Sequence, residues 1–384
     1  MKISNIKAFF LGILIYILMI DSGGPLGLRN YIFVILFFIS IPYILGSQIN
    51  KKVIIIILLA IITSLIGISS NIINNIDINK VFTWISFLVA IYFFYKALSF
   101  FNHDEFIKGM LLSGLFFSFT VLLVHFLLIT NLIISPDELL FLLNFVEGFF
   151  HRYSILGFDY YSIYFQSTLT LTVFTFIAYL NKYYKIYLLF IFILAISLSR
   201  FGVFVSLLLP LLIYFFNIRI ISKIIVTAFI PISIIIILFY SAIYYYYYDN
   251  FTIDVYYGLS SSEARIAHII STFQSFDLKN FFLGQGLGSE FFTIRSNSYV
   301  DNTELSQLEF LRKFGFFGYM TFHSLIFTTM YCNHTSKNYS FNIYIISIYF
   351  ASMSNPILTS LIFAIFIGYS LKEITNKKGN YERQ

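Results

Sequence analysis

Long apolar stretches alternate with short polar breaks along nearly the whole chain. These runs predict helices near residues 8–20, 31–47, 53–69, 81–99, 109–130, 161–180, 184–198, 201–216, 220–243, 308–331, 340–354 and 356–371. A bilayer crossing takes about 20 mostly apolar residues, so the pattern describes an all-α polytopic membrane protein with about twelve spans. The first run follows Lys2 and Lys7 as a signal sequence would. It lacks a small-residue cleavage site and leads into Asp21-Ser22-Gly23-Gly24-Pro25, which predicts a retained anchor helix.

Two polar intervals are too long to be simple turns, residues 131–160 and 244–307. Pro136-Asp137-Glu138 predicts the cap of a short amphipathic helix over 137–150, lying on the membrane surface. In the second interval, Ser260-Ser261-Ser262-Glu263 is a polar capping stretch that predicts a helix over 262–275. Long loops are where function concentrates.

Composition sharpens this picture. Of 384 residues, 59% are hydrophobic, 21% aromatic and 11% charged, against about 25% charged in a soluble domain. A water-soluble globular enzyme is excluded, and residues 1–384 are expected to form one integral membrane domain. The single Cys332 cannot form an internal disulfide. The net charge of +6 is scattered between apolar runs rather than gathered on one stripe, which argues against nucleic acid as a partner. With both termini cytoplasmic, 15 of the 24 basic residues fall on the inner side, as the positive-inside rule requires. Fourteen of the 18 acids then fall outside, so the chemistry is expected there.

Several signals are absent from the sequence. There is no G-x-x-x-x-G-K, no H-E-x-x-H and no D-x-D pair, so neither a bound metal nor another cofactor is expected. What stands out is a set of arginines and carboxylates on the outer side. Arg200, in Ser197-Leu198-Ser199-Arg200, breaks two apolar runs and is either a snorkelling arginine at a tight turn or a cation at the depth of a lipid phosphate. Arg265 is either part of a solvated helix face or a second such cation. Gly284-Gln285-Gly286-Leu287-Gly288 allows a tight turn or a close backbone approach to a ligand. Glu304 lies at the entry to the tenth apolar run, where partial desolvation would suit a general base and where a helix-start acid is also at home. Leu305, Leu308, Leu311 and Phe314 follow helical periodicity and read as packing. The tyrosine run Tyr244–Tyr248 reads as an interfacial aromatic belt or as a stacking platform for sugar rings.

The order of Ser-Leu-Ser-Arg200, Glu263-Ala264-Arg265, the Gly284–Gly288 turn, and Glu304 eleven residues before Gly315-Phe316-Phe317-Gly318 resembles the Wzy-type polysaccharide polymerase and O-antigen ligase superfamily, over about residues 195–318. Upstream, His151-Arg152-Tyr153-Ser154-Ile155-Leu156-Gly157-Phe158-Asp159 is similar to another stretch of these proteins. The resemblance implies a metal-independent glycosyltransferase in the bacterial cytoplasmic membrane, its active site facing outward. The substrate it implies is an undecaprenyl-diphosphate-linked oligosaccharide. Arg200 and Arg265, helped by Arg152, would hold the diphosphate, and Glu304 would be the base with His268 as the alternative. Tyr247, Tyr248 and Glu309 are the candidates for contacting the glycan. Ligases carry a histidine followed by asparagine where this chain has Glu304-Leu305, which favours a polymerase. A flippase and a chain-length regulator are the expected partners alongside membrane lipids. The competing readings are a ligase and a lipid-linked glycan flippase or transporter.

Overall fold

The computed structural model describes residues 3–21, 27–46, 50–76, 81–130, 138, 148–155, 158–165, 167–197, 199–247, 261–294, 297–301, 303, 305–353 and 360–381. Helices dominate. They are α1 (Ile3–Ile20), α2 (Leu28–Gly46), α3 (Lys51–Ile73), α4 (Val81–Ala97), α5 (His103–Thr130), α6 (Leu171–Leu180), α7 (Tyr184–Ile196), α8 (Arg200–Phe215), α9 (Ile218–Tyr247), α10 (Ser261–Gln274), α11 (Leu278–Leu283), α12 (Ser306–Thr335), α13 (Tyr339–Ala351) and α14 (Leu361–Tyr381). Among the described residues, α3, α5 and α9 are long and apolar enough to cross a membrane, and seven shorter apolar helices accompany them.

The fold is not purely helical. Strands β1 (Gly148–Ile155) and β2 (Phe158–Phe165) pair antiparallel, as do β3 (Phe291–Thr293) and β4 (Ser298–Val300). The helix expected over 161–180 therefore starts late, because residues 161–165 belong to β2, and helical geometry begins at Thr168. Segment 158–165 is rich in aromatic residues, which suit a pleated strand. Its apolarity had made it look continuous with α6. Of the surface helix expected over 137–150, Gly148–Phe150 instead open β1, and residues 137 and 139–147 lie outside the described set.

Two other boundaries moved. Helix α9 runs to Tyr247, so Tyr244–Tyr247 form its last turn rather than the start of a loop. Helix α12 is two helical pieces joined at Gly315, whose φ of 68° and ψ of 178° break the hydrogen-bond ladder. The piece before the break, Ser306–Phe314, meets the glycine-rich turn at its end and packs into the bundle as well, with Phe310 against Phe87 of α4 and against Phe322. The piece after it is packed by α3, α9, α13 and α14, and Leu325, Ile326 and Met330 are buried there.

Helix ends sort into two groups. Lys52 Nζ, at the start of α3, donates to Thr335 Oγ1 at the end of α12 over 3.3 Å. Ser222 Oγ, at the start of α9, bonds His334 Nδ1 at 2.9 Å. The opposite ends of α3, α9 and α12 carry the polar segment formed by α10, α11 and β3–β4.

Candidate functional site

The two glycine motifs noted in the sequence meet in space. The break at Gly315 leaves the carbonyls of the preceding helical turn without their usual donors. The backbone of the glycine-rich turn supplies them: Gln285 N donates to Arg312 O at 2.8 Å, and Gly286 N to Lys313 O at 3.2 Å. Gly284 and Gly315 lie backbone to backbone, both at positive φ, and a Cβ on either would overlap the other's chain. The far end of α3 clamps the same turn. Asn74 Nδ2 donates to Gly284 O at 3.0 Å, Ser70 Oγ to Leu283 O, and Asn71 Oδ1 accepts from Leu287 N.

Beneath the turn lies a buried ionic cluster. Arg312 is 0% exposed and Glu309 2%. The guanidinium spans Glu309 through Nη2–Oε1 at 2.7 Å and Nε–Oε2 at 3.1 Å. Its remaining N–H groups donate to Gln285 Oε1, to the Ser289 carbonyl and hydroxyl, and to Asp301 O. Phe291 stacks under the cation, 4.6 Å from its centroid. Lys313 Nζ approaches Glu309 Oε1 at 3.2 Å. Burial works to raise the Glu309 carboxyl, but the charges and hydrogen bonds of Arg312 and Lys313 outweigh it and hold the group below the ordinary carboxylate range. Glu309 is therefore not an exposed glycan contact: it is consumed by the fold because its helical neighbours at i+3 and i+4 are cations turned inward with it.

Arg265 occupies the first half of α10, which packs on the end of α9. It is half-buried, and its Nε is shielded from solvent with no hydrogen-bond partner in the protein.

A polar seam is buried inside the bundle. His323, 0% exposed, bonds Tyr319 O through Nδ1 at 2.7 Å, and its Nε2 bonds Tyr349 Oη at 3.0 Å and Gln307 Oε1 at 3.2 Å. Tyr349 Oη also meets Ser233 Oγ at 3.1 Å, and Gln307 Nε2 donates to Ser352 Oγ at 3.1 Å. These residues were missed in the sequence although a signal existed: a histidine in the middle of an apolar run is a site by default.

The other expected residues are spread around this centre. His268, on α10, is buried with Nδ1 3.5 Å from Thr293 Oγ1 of β3. Tyr247 is half-buried in the last turn of α9, its ring 4.8 Å from that of Tyr246. Arg200 is exposed at the first residue of α8, a helix packed on α6, α7 and α13 rather than on the α10 segment. Arg152 stands in β1 opposite Tyr161 of β2. Glu304 and Tyr248 lie outside the described residues; the neighbours of Glu304, Thr303 and Leu305, are buried. Among the described residues no group of three His, Cys, Asp or Glu side chains is placed to hold a metal ion.

The segment also forms an open cleft of about 380 Å³. Asn74 from the end of α3, Ser275, Asn280, Gln285, Ser289 and Glu290 line it, with Phe291, Phe292 and Tyr299 from the β3–β4 hairpin.

Comparison with protein-family models, with curated proteins and with solved structures gave no match.

Proposed function

We propose that the protein is a membrane glycosyltransferase that polymerises lipid-linked oligosaccharide repeat units at the outer face of the bacterial cytoplasmic membrane. The observation that carries this reading is Arg265: a half-buried arginine on α10, against the end of α9, with a shielded, unpartnered Nε. Leaving a buried donor unmade costs about 1–3 kcal/mol, more where the group is charged, so such a group is expected to meet an anion in the working protein. A lipid-linked diphosphate supplies phosphate oxygens, and guanidinium geometry matches them bidentately.

In the proposed reaction a hydroxyl of the acceptor repeat attacks the anomeric carbon of the growing chain. The new C–O bond forms as the bond to undecaprenyl diphosphate breaks. The hydroxyl proton passes to Glu304, three residues before Gln307 of the polar seam. Direct displacement inverts the anomeric centre. Arg265 stabilises the departing diphosphate, a contribution of the kind worth about 100-fold or more per donor in rate. Arg200, with Arg152, is assigned to the lipid-diphosphate path at the membrane surface. The two groups of helix ends support the sidedness, because Lys52 and Arg219 stand at the ends opposite the cleft and basic residues favour the cytoplasmic side.

The test is substitution in producing cells. Arg265→Ala and Glu304→Gln each abolish chain extension while the protein remains folded in the membrane. Long chains from both variants would refute the assignment.

A further inference from the structure

Helix α11 is short, sharply bounded and apolar on its outside. The Asp277 carboxylate caps its start by accepting from Asn280 N at 2.6 Å, and Gly284, at φ 89°, ends it by donating from N to Asn280 O at 2.8 Å. None of its six residues is buried, although Leu278, Phe281, Phe282 and Leu283 are apolar. Leu278 is 78% exposed, and Phe282 and Leu283 are exposed as well. Leu278 and Phe282, four positions apart, share one face of the helix; Asn280, on the opposite face, lines the cleft. Phe281 stacks on Phe316 at 6.0 Å, and the Phe282 ring lies 5.7 Å from that of Phe317, itself exposed on α12. Leu278, Phe282, Leu283 and Phe317 therefore make one apolar patch that nothing among the described residues covers.

Two observations say what covers it. The first is depth. Ser70 Oγ of α3 donates to Leu283 O, and Asn74 Nδ2 donates to Gly284 O at 3.0 Å, so the end of α11 is fastened to the last turn of α3. Ser70 lies 19 residues along α3 from Lys51, about 28 Å at the rise of an α-helix, and the hydrocarbon core of a bilayer is about 30 Å thick. Helix α3 is apolar enough to cross that core and begins with two lysines, so its bond to Leu283 holds α11 where the far side of the core meets the headgroups. The second is continuity. Helix α12 exposes Phe317 and, fourteen residues on along the same face, Tyr331. Its neighbour α3, whose Ile66 lies against Gly318, exposes Ile62, Leu65 and Ile73. These are the surfaces that a membrane helix turns to lipid, and the α11 patch stands at their head.

We propose that α11 lies in the bilayer surface opposite the Lys51–Lys52 end, with Leu278, Phe282, Leu283 and Phe317 among phospholipid acyl chains just beneath the headgroups. An interfacial amphipathic helix buries its apolar face about 5–10 Å into the boundary between headgroups and acyl chains. Lys279, exposed beside Leu278 with Nζ 3.4 Å from Asn74 Oδ1, stands at the level of the lipid phosphates. The helix is then a wall with lipid on one face and the cleft on the other, so the cleft opens at the membrane surface, within reach of a group carried on a lipid. This placement needs a chain that crosses a membrane and does not depend on the glycosyltransferase reading.

The experiment uses the full chain in nanodiscs of phosphatidylethanolamine and phosphatidylglycerol. Trp84, the single tryptophan of the chain, is replaced by phenylalanine, and Leu278→Trp or Phe282→Trp then supplies a lone fluorophore. Melting curves matching the parent show that the variants are folded; should Phe282→Trp melt lower, the far more exposed Leu278→Trp carries the test alone. The tryptophan loses about half its emission to lipid brominated near the headgroup end of its chains, and less than about a tenth to aqueous iodide, as burial at that boundary requires. A tryptophan that loses as much to iodide as to brominated lipid, or more, stands in water and overturns the proposal. One that neither quencher reaches is covered by protein, which overturns it too. The readout involves no glycan transfer, so the placement can hold where Arg265→Ala still extends chains and can fail where Arg265→Ala is inactive.

Discussion

Removing Glu309 should destabilise the protein more than removing Arg312, although the two are partners. Glu309→Gln takes the counter-charge from two cations at once, and both Arg312 and Lys313 are 0% exposed. Breaking a buried ion pair from one side costs about 3–5 kcal/mol, and here one carboxylate serves two partners, so a loss at or above the top of that range, about 5 kcal/mol, is expected. Arg312→Met keeps the side-chain volume and leaves Glu309 with Lys313 at 3.2 Å and with Thr303 N at 3.2 Å. Its cost comes from the lost donors to Gln285, Ser289 and Asp301, about 3 kcal/mol in all. The double variant should cost less than the sum of the singles by about 2 kcal/mol or more, because the pair is coupled. The assay is unfolding in mixed micelles with rising SDS fraction, followed by helical circular dichroism. Additive effects, or a cost below about 1 kcal/mol for either single variant, would refute the view that this cluster anchors the cleft segment.

Acid should act through the same carboxylate. Glu309 is held below its ordinary value, so its contribution is complete above about pH 4.3 and is lost as pH falls through the depressed value; melting curves from pH 7 to pH 3 should show this loss, and Glu309→Gln should flatten it. Gly315→Ala should cost about 4 kcal/mol, from strain at φ 68° and from overlap with the Gly284 backbone. A Gly315→Ala variant with wild-type stability in the SDS assay would show that the close approach of the two glycine turns is not required.

Much of the helical framework was legible because a membrane helix needs only a long apolar run. Leu305, Leu308, Leu311 and Phe314 are buried as their helical spacing suggested, but Ser306, Gln307, Glu309, Phe310, Arg312 and Lys313 between them are buried too, so the spacing did not mark a single inner face. The hairpin β1–β2 was not legible, since an aromatic-rich strand such as Phe158–Phe165 is as apolar as a helix and too short for its period to decide. Charge was the poorest guide to exposure. Glu309, Arg312 and Lys313 read as residues near a membrane entry, yet they are buried because Gln285 and Ser289, more than twenty residues away, fold over them. The glycine turns carried a correct hint of close approach, although what each approaches is the other.

The central claim is that the chain extends lipid-linked glycans at the outer membrane face, and deletion of the protein in producing cells tests it most directly. Surface and lipid-linked glycans are resolved on a gel before and after complementation with wild type and with Arg265→Ala. The account predicts loss of the long ladder on deletion with single repeat units still delivered, full recovery with wild type, and none with Arg265→Ala. An unchanged ladder in the deletion strain would contradict it.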